Sequence, residues 1–426
     1  MVDRAPSPSY REIVRIPAFF GFLSGRVISH LGGNVFELAS LWYIAGHSVS
    51  PLSTIGVLLV PAVITTVLQL PLAALADRWP KKPLLILVEL GRGLAILGAV
   101  LWISHGGSAV AIVYGALGLI TVGRLLVAPA LTVAWPSVLP DPDRQLVVAN
   151  SLWEIVWRVL NLVGYPLAGV LVAVVGPPRA MGLDGIAYLA SALSFAWLSI
   201  PTIRATATPG LRGFLRDMGE GLRYLWGHTG FRAFLIAFVA INVVSSPLSV
   251  FPVFYTKDVL HGGPVLLGWL YGAEAVGGIL GAWWVGRHPL QRPLHGLLGG
   301  VVVIAGVSLV AAILWPVPAV GLVTVAARAG IWALINVPFF AALQISPPPD
   351  LRGRVVSSFS LVTGQLPGLV GLWGAGSVMG LLTVPATFFG IGVMILAMGL
   401  ATLAWPRARA LDMVVIPGRE QAARPL

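Results

Sequence analysis

The sequence predicts an all-α polytopic membrane protein with twelve transmembrane helices in two six-helix halves. Three observations carry that reading. Of 426 residues, 57% are hydrophobic and only 10% charged, with a mean hydropathy of +0.90, whereas soluble domains carry roughly 25% charged residues. Apolar stretches of about 20 residues, the length that crosses a bilayer, recur along the chain. One long polar segment, 202–230, divides them six and six. A soluble enzyme, a secreted disulfide scaffold and a disordered chain are all excluded by this composition.

In chain order the expected spans are 17–44, 53–76, 84–104, 109–139, 147–175, 182–201, 231–256, 264–286, 294–315, 318–345, 354–378 and 383–405. Short gaps such as His47–Pro51, His105–Ser108 and Pro316–Pro318 separate neighbours on one side. Trp42, Trp102, Trp135, Trp197, Trp315 and Trp405 near span ends fit an interfacial aromatic belt. The expected organisation is an N-terminal half (1–201), a cytoplasmic linker (202–230), a C-terminal half (231–405) and a cytoplasmic tail (406–426). Within the linker, Leu211, Phe214, Leu215, Leu222 and Leu225 fall near helical spacing among four arginines, which predicts a surface-lying amphipathic helix. The halves repeat: DPDRQLVVANS (Asp141–Ser151) follows span four and PPDLRGRVVSS (Pro348–Ser358) follows span ten. Duplicated halves are a transporter architecture.

The net charge of +11 would suit nucleic acid if it formed one face, but its distribution excludes that partner. With the N-terminus inside, 20 Lys and Arg fall in cytoplasmic segments or at the cytoplasmic ends of spans (Arg232, Arg354) and 2 (Arg179, Lys257) outside, while Arg26, Arg92, Arg124, Arg158 and Arg328 lie deeper within spans. This is the positive-inside asymmetry of a multi-pass protein with both termini cytoplasmic. No cleaved signal peptide is expected, because the first apolar stretch is long and lacks a small-residue cleavage site. Cysteine is absent, the seven histidines are scattered, and none of the three lysines follows a glycine in a phosphate-binding loop. No metal site, cofactor or nucleotide motor is therefore expected.

Charges inside spans are costly in lipid and mark functional positions. In span one, Arg26, His30, Asn34 and Glu37 lie within about 80° of one another at about 100° per residue. Asn150, Glu154, Arg158, Asn161 and Tyr165 form a similar stripe in span five. Span four adds Arg124, span eight Glu274 and span ten Arg328. A carboxylate in a low-dielectric cavity, with a guanidinium nearby, can couple a proton to substrate release. The proton-coupling candidates are Glu37 first, then Glu274 and Glu154, with Arg124 and Arg158 as their partners. Glu154 and Arg158 at i,i+4 can instead neutralise each other, as can Glu89 and Arg92 in span three. Phe36, Trp153, Trp157, Tyr165 and Trp332 are aromatic candidates for an amphiphilic or cationic-aromatic ligand. With Arg26, His30, Asn34, Asn161, Arg328 and Asn336 they make up the candidate substrate cavity.

Between spans two and three, ALADRWPKK (Ala74–Lys82) resembles the G-x-L-A-D-R-x-G-R-K signature of the major facilitator superfamily. Asp77, Arg78, Lys81 and Lys82 match it; Ala73 and Pro80 stand at the two glycines. Ion pairs at this helix end can act as a breakable gate. Ile120–Arg124 is similar to the family's l-x-x-x-R motif. GYPLAG (Gly164–Gly169) is similar to the G-P-x-x-G-G antiporter motif through Gly164, Pro166 and Gly169, with Tyr165 and Val170 at glycine positions. LSGRVISHLGG (Leu23–Gly33), the Glu89/Arg92 pair, VANSL (Val148–Leu152), Asp184, EGLRYLW (Glu220–Trp226), NVP (Asn336–Pro338) and LRGRVVSSFS (Leu351–Ser360) resemble the proton-driven drug-exporter branch that includes macrolide efflux proteins and the enterobactin exporter. The resemblance implies the major facilitator fold, a bacterial inner membrane and a monomer. It also implies proton-coupled efflux of hydrophobic or amphiphilic small molecules by alternating access. The alternatives are an uncoupled or lipid carrier, similar to a lysophospholipid transporter, and a non-transporting membrane sensor.

Overall fold

The computed structural model describes residues 9–47, 50–107, 109–197, 211–288, 294–348 and 351–404, and every regular element among them is helical. The helices are α1 (Tyr10–Val14), α2 (Pro17–His47), α3 (Pro51–Arg78), α4 (Lys81–Ser104), α5 (Ala109–Ser137), α6 (Pro142–Val175), α7 (Pro177–Trp197) and α8 (Leu211–Gly227). They continue as α9 (Thr229–Ser245), α10 (Phe251–Phe254), α11 (Pro264–Arg287), α12 (Leu294–Leu314), α13 (Pro318–Ile345), α14 (Arg352–Ser360), α15 (Leu366–Leu381) and α16 (Val384–Ala404). A 3₁₀ turn at Ser246–Ser249 and π-helical turns at Tyr255–Val259 and Leu361–Gln365 join neighbouring pieces of helix.

Proline sets many of these starts. α2, α3, α6, α7, α11 and α13 all begin at a proline, whose fixed φ suits the first turn and whose missing N–H is not needed there. α6 ends at Gly176, at φ +83°, and Pro177 opens α7 directly after it. The segment from Pro142 to Leu146, expected as part of the gap before span five, is the first turn of α6.

Ten of the described helical stretches are long and apolar enough to cross a membrane. The helices at the first and sixth expected spans, α2 and α7, have 31 and 21 residues but are not among the ten. Polar residues lower their hydropathy: Arg26, His30, Asn34 and Glu37 in α2, Arg179 and Asp184 in α7. Large apolar side chains cover the outside of the helices, including Leu94, Leu101, Val174, Trp197, Trp315 and Leu381. That is the surface lipid requires.

The chain forms two compact units, residues 1–48 with 56–208 and residues 49–55 with 209–426. In the first, α7 packs on α2 and α4, α4 on α5, and α2 on α6. In the second, α16 packs on α9 and α12, α12 on α13, and α9 on α15. These four pairings correspond between the units, as a duplicated sequence leads one to expect; the second unit adds α11 packed on α13. Each unit also opens on a helix that is not a span. α1 buries Ile13 in a core with Phe19, Phe22, Trp135 and Ala149. α8 buries Leu225 in a core with Phe231, Phe234, Phe339 and Phe359.

Trp135 corrects an expectation. It does not lie in an interfacial belt but is buried, with Phe19, Phe22 and Trp153 at centroid separations of 5.1, 5.2 and 6.2 Å. Helix packing claims it because α5 runs alongside both the start of α2 and α6. Trp102, Trp197 and Trp315 are exposed; Trp405 lies outside the described residues.

Candidate functional site

α2 and α6 run side by side in the same direction, and their polar stripes meet. The Arg26 guanidinium lies 3.8 Å from the Trp153 ring centroid. His30 Nε2 and Asn161 Oδ1 are 3.2 Å apart. Asn34 Nδ2 donates to the Leu160 carbonyl at 3.2 Å. One turn on, the Tyr165 hydroxyl donates to Glu37 Oε2 at 3.1 Å. Two stripes read separately from the sequence thus form one seam. Gly164 belongs to it as well, because a Cβ there would run into the Asn34 amide. Within the antiporter-like motif, Gly164 therefore allows close helix approach, Gly169 is buried, and α6 continues through Pro166.

The other half of the α6 stripe does not join. Glu154 and Arg158 bond to each other at 2.7 Å and are 54% and 41% exposed. Asn150 is also exposed. An arc of about 80° is wide enough for one edge to face α2 while the other faces away.

The seam borders a cavity of about 430 Å³ within the first unit, in the size range of small-molecule sites. Arg26, His30, Asn34, Phe36, Glu37 and Arg124, all singled out in the sequence, line it. Its far wall was not expected. Glu89, Arg92, Asp184, Tyr188 and Ser191 from α4 and α7 also line it. Arg92 donates to Glu89 Oε1 at 2.9 Å and to the Ile120 carbonyl at 3.0 Å, and lies 5.1 Å from the Tyr188 ring centroid. Glu89 and Arg92, read as a mutually neutralising pair in span three, are buried.

In the second unit, Arg328 of α13 forms an ion pair with Glu274 of α11. Glu274 has no cation near it on its own helix, where Arg287 lies at the far end, so this pairing was not visible in the sequence. Asn336 Nδ2 donates to the Trp332 carbonyl of its own helix at 2.9 Å, and Trp332 packs against Phe238 at 5.9 Å between centroids.

Of the expected gating residues, the side chains of Asp77 and Arg78 lie outside the described residues. Lys81 is fully buried, and its ammonium donates to the Ala76 carbonyl in the last turns of α3 at 2.8 Å, where a cation complements the helix end. Lys82 is partly exposed.

Known proteins share this architecture. The chain is 27% identical over 331 residues to the multidrug efflux pump Tap of Mycobacterium tuberculosis, covering 75% of this chain and 77% of that one. The nucleoside transporter NupG superposes with a TM-score of 0.70 at 11% identity, covering 91% of this chain and 98% of NupG. A bacterial homologue of the iron transporter ferroportin, solved in an inward-facing state, gives 0.67 at 18% identity, covering 95% and 99%. At such identities the structures speak for the fold alone. The Major Facilitator Superfamily profile matches residues 22–372. The chain belongs to that superfamily: it is a multi-pass membrane protein and a secondary transporter of small molecules, not an enzyme.

Proposed function

We propose that the protein exports hydrophobic or amphiphilic small molecules across a bacterial cytoplasmic membrane by alternating access, driven by proton entry. The observation that carries this reading is the α2–α6 seam: a half-buried carboxylate, Glu37, hydrogen-bonded to Tyr165 and lining a cavity that also holds Arg26, Phe36 and Trp153. A carboxylate there can alternate between an ionised form that accepts the tyrosine proton donor and a neutral form that releases it. The aromatic rings and mixed charge would suit amphiphiles. Likeness to the efflux pump Tap supports the outward direction. The positive-inside distribution supports cytoplasmic termini.

The test is efflux of ethidium and of a macrolide from a bacterial host lacking its own pumps, comparing the protein with Glu37→Gln at equal expression. Efflux that an uncoupler and Glu37→Gln both abolish is the expected result. Efflux indifferent to the uncoupler points to an uncoupled carrier. Efflux that survives Glu37→Gln but not the uncoupler keeps the coupling and removes Glu37 from it.

A further inference from the structure

Opposite the seam, the wall of the cavity holds polar atoms that the helices have buried without satisfying. Asp184 is 0% exposed, and neither of its carboxylate oxygens has a hydrogen-bond partner among the described residues. Arg92 Nε is unpartnered as well, while Glu89 lies within reach of the Ser191 hydroxyl. All four residues line the one cavity. Buried polar atoms are nearly always paired, so several orphans in one cluster call for a functional account.

The packing makes the cluster specific. Asp184 sits where α7 crosses α2, and a Cβ on Gly32 would collide with its carboxylate. The carboxylate has a place only because that residue is glycine. The guanidinium of Arg92 uses Nη1 on Glu89 and Nη2 on the Ile120 carbonyl. Neither its Nε nor the Ser191 hydroxyl bonds Asp184, and an unbonded charge in such a place is expensive. The charged and titratable groups around it are few. α4 contributes Glu89 and Arg92, and α7 itself contributes Tyr188. α2 brings Arg26, His30 and Glu37 to the cavity, and α5 brings Arg124. α6, which also touches α7, contributes only Trp153 to the lining.

We propose that Asp184 is a second proton-binding site of the first unit, distinct from Glu37, and that it takes up and returns one proton during transport. The carboxylate accepts the proton to become a neutral acid, whose hydroxyl can donate within the cluster; release restores the carboxylate. Glu89, Arg92 and Ser191 are positioning residues for it. Its part in transport rests on the proton-coupled reading above; its occupancy by a proton does not.

The experiment is an infrared pH titration of the purified full chain in lipid, following the carboxylic-acid C=O band. That band is expected to rise and fall with pH, to lose one component in Asp184→Asn and to keep that component in Glu37→Gln. Glu89→Gln, which leaves Asp184 in place, is expected to move the component's midpoint, and it serves if Asp184→Asn does not fold. A spectrum unchanged in both Asp184→Asn and Glu89→Gln overturns the proposal. So does a component that follows sodium at fixed pH, which would make the cluster a metal-cation site. Ethidium efflux by the same variants separates the two readings. Wild-type efflux indifferent to an uncoupler sinks the coupling while the infrared component stands. Uncoupler-sensitive efflux with a normal pH profile in Asp184→Asn overturns the transport role of the site.

Discussion

Asn34 and Tyr165 occupy the same seam and do different work, which makes them a test of the site at the scale of single side chains. Asn34 is buried and ties α2 to the Leu160 carbonyl; interhelical hydrogen bonds in membranes contribute about 0.5–1.5 kcal/mol. Asn34→Ala is expected to lower the thermal unfolding midpoint in detergent by a stability loss of that size. Tyr165→Phe keeps the ring and removes the donor to Glu37. It is expected to lower uncoupler-sensitive ethidium efflux severalfold while leaving the unfolding midpoint within about 0.5 kcal/mol of wild type. If both variants melt early and transport alike, the seam is only packing. The stripe was legible in the sequence because its four residues share one helix, where 3.6-residue periodicity fixes their angles. Asp184, Glu89, Arg92 and Ser191 were not legible as a cluster, because they lie on two helices and spacing within one helix does not show which faces converge. The pairing of Glu274 with Arg328 was hidden for the same reason.

At the scale of elements, α8 shows what an amphipathic pattern can and cannot reveal. The sequence places its apolar residues at helical spacing, and the helix forms; the side chains of Leu211, Phe214 and Leu215 lie outside the described residues. What the pattern did not reveal is the partner. Arg354 of α14 grips Asp217 at 3.0 Å and also pairs with Glu220, Ser358 donates to the Met218 carbonyl at 3.0 Å, and Arg216 bonds Glu220 at 3.0 Å. Hydrogen bonding from Arg216, with the nearby Arg354 charge, holds the Glu220 carboxyl below its ordinary value of 4.5. A carboxylate so depressed supports docking above its unfolded value, and that support is lost as the pH falls through the folded one. Spin labels on α8 and α14 are therefore expected to keep one narrow distance from neutral pH down to about 4.5, and a broader one under more acid conditions. In Glu220→Gln the broader distribution is expected at neutral pH as well. A distance that ignores both changes removes Glu220 from the dock.

For the whole molecule, hydropathy placed the helices to within a few residues along most of the chain, because a membrane leaves so few alternatives to an apolar helix. The two helices that fall short of a generic span, α2 and α7, are the ones that carry Glu37 and Asp184. Their polar residues dilute their hydropathy, and packing within the unit keeps them in place.

The π-helical turns at Tyr255–Val259 and Leu361–Gln365 set a limit of another kind. Each holds one residue more than an α-helical turn would. Deleting a single residue from Leu361–Gln365, such as Gly364, would return the turn to α-helical winding and leave the helix after it facing as it does now. A deletion within α15, at Gly368, has no extra residue to absorb it and would rotate everything after it by about 100°. Trp373, now 60% exposed, would then take the place in which Leu372 is buried. A monodisperse size-exclusion profile is therefore expected for the Gly364 deletion and its loss for the Gly368 deletion; the reverse outcome would show that the extra residue carries no register.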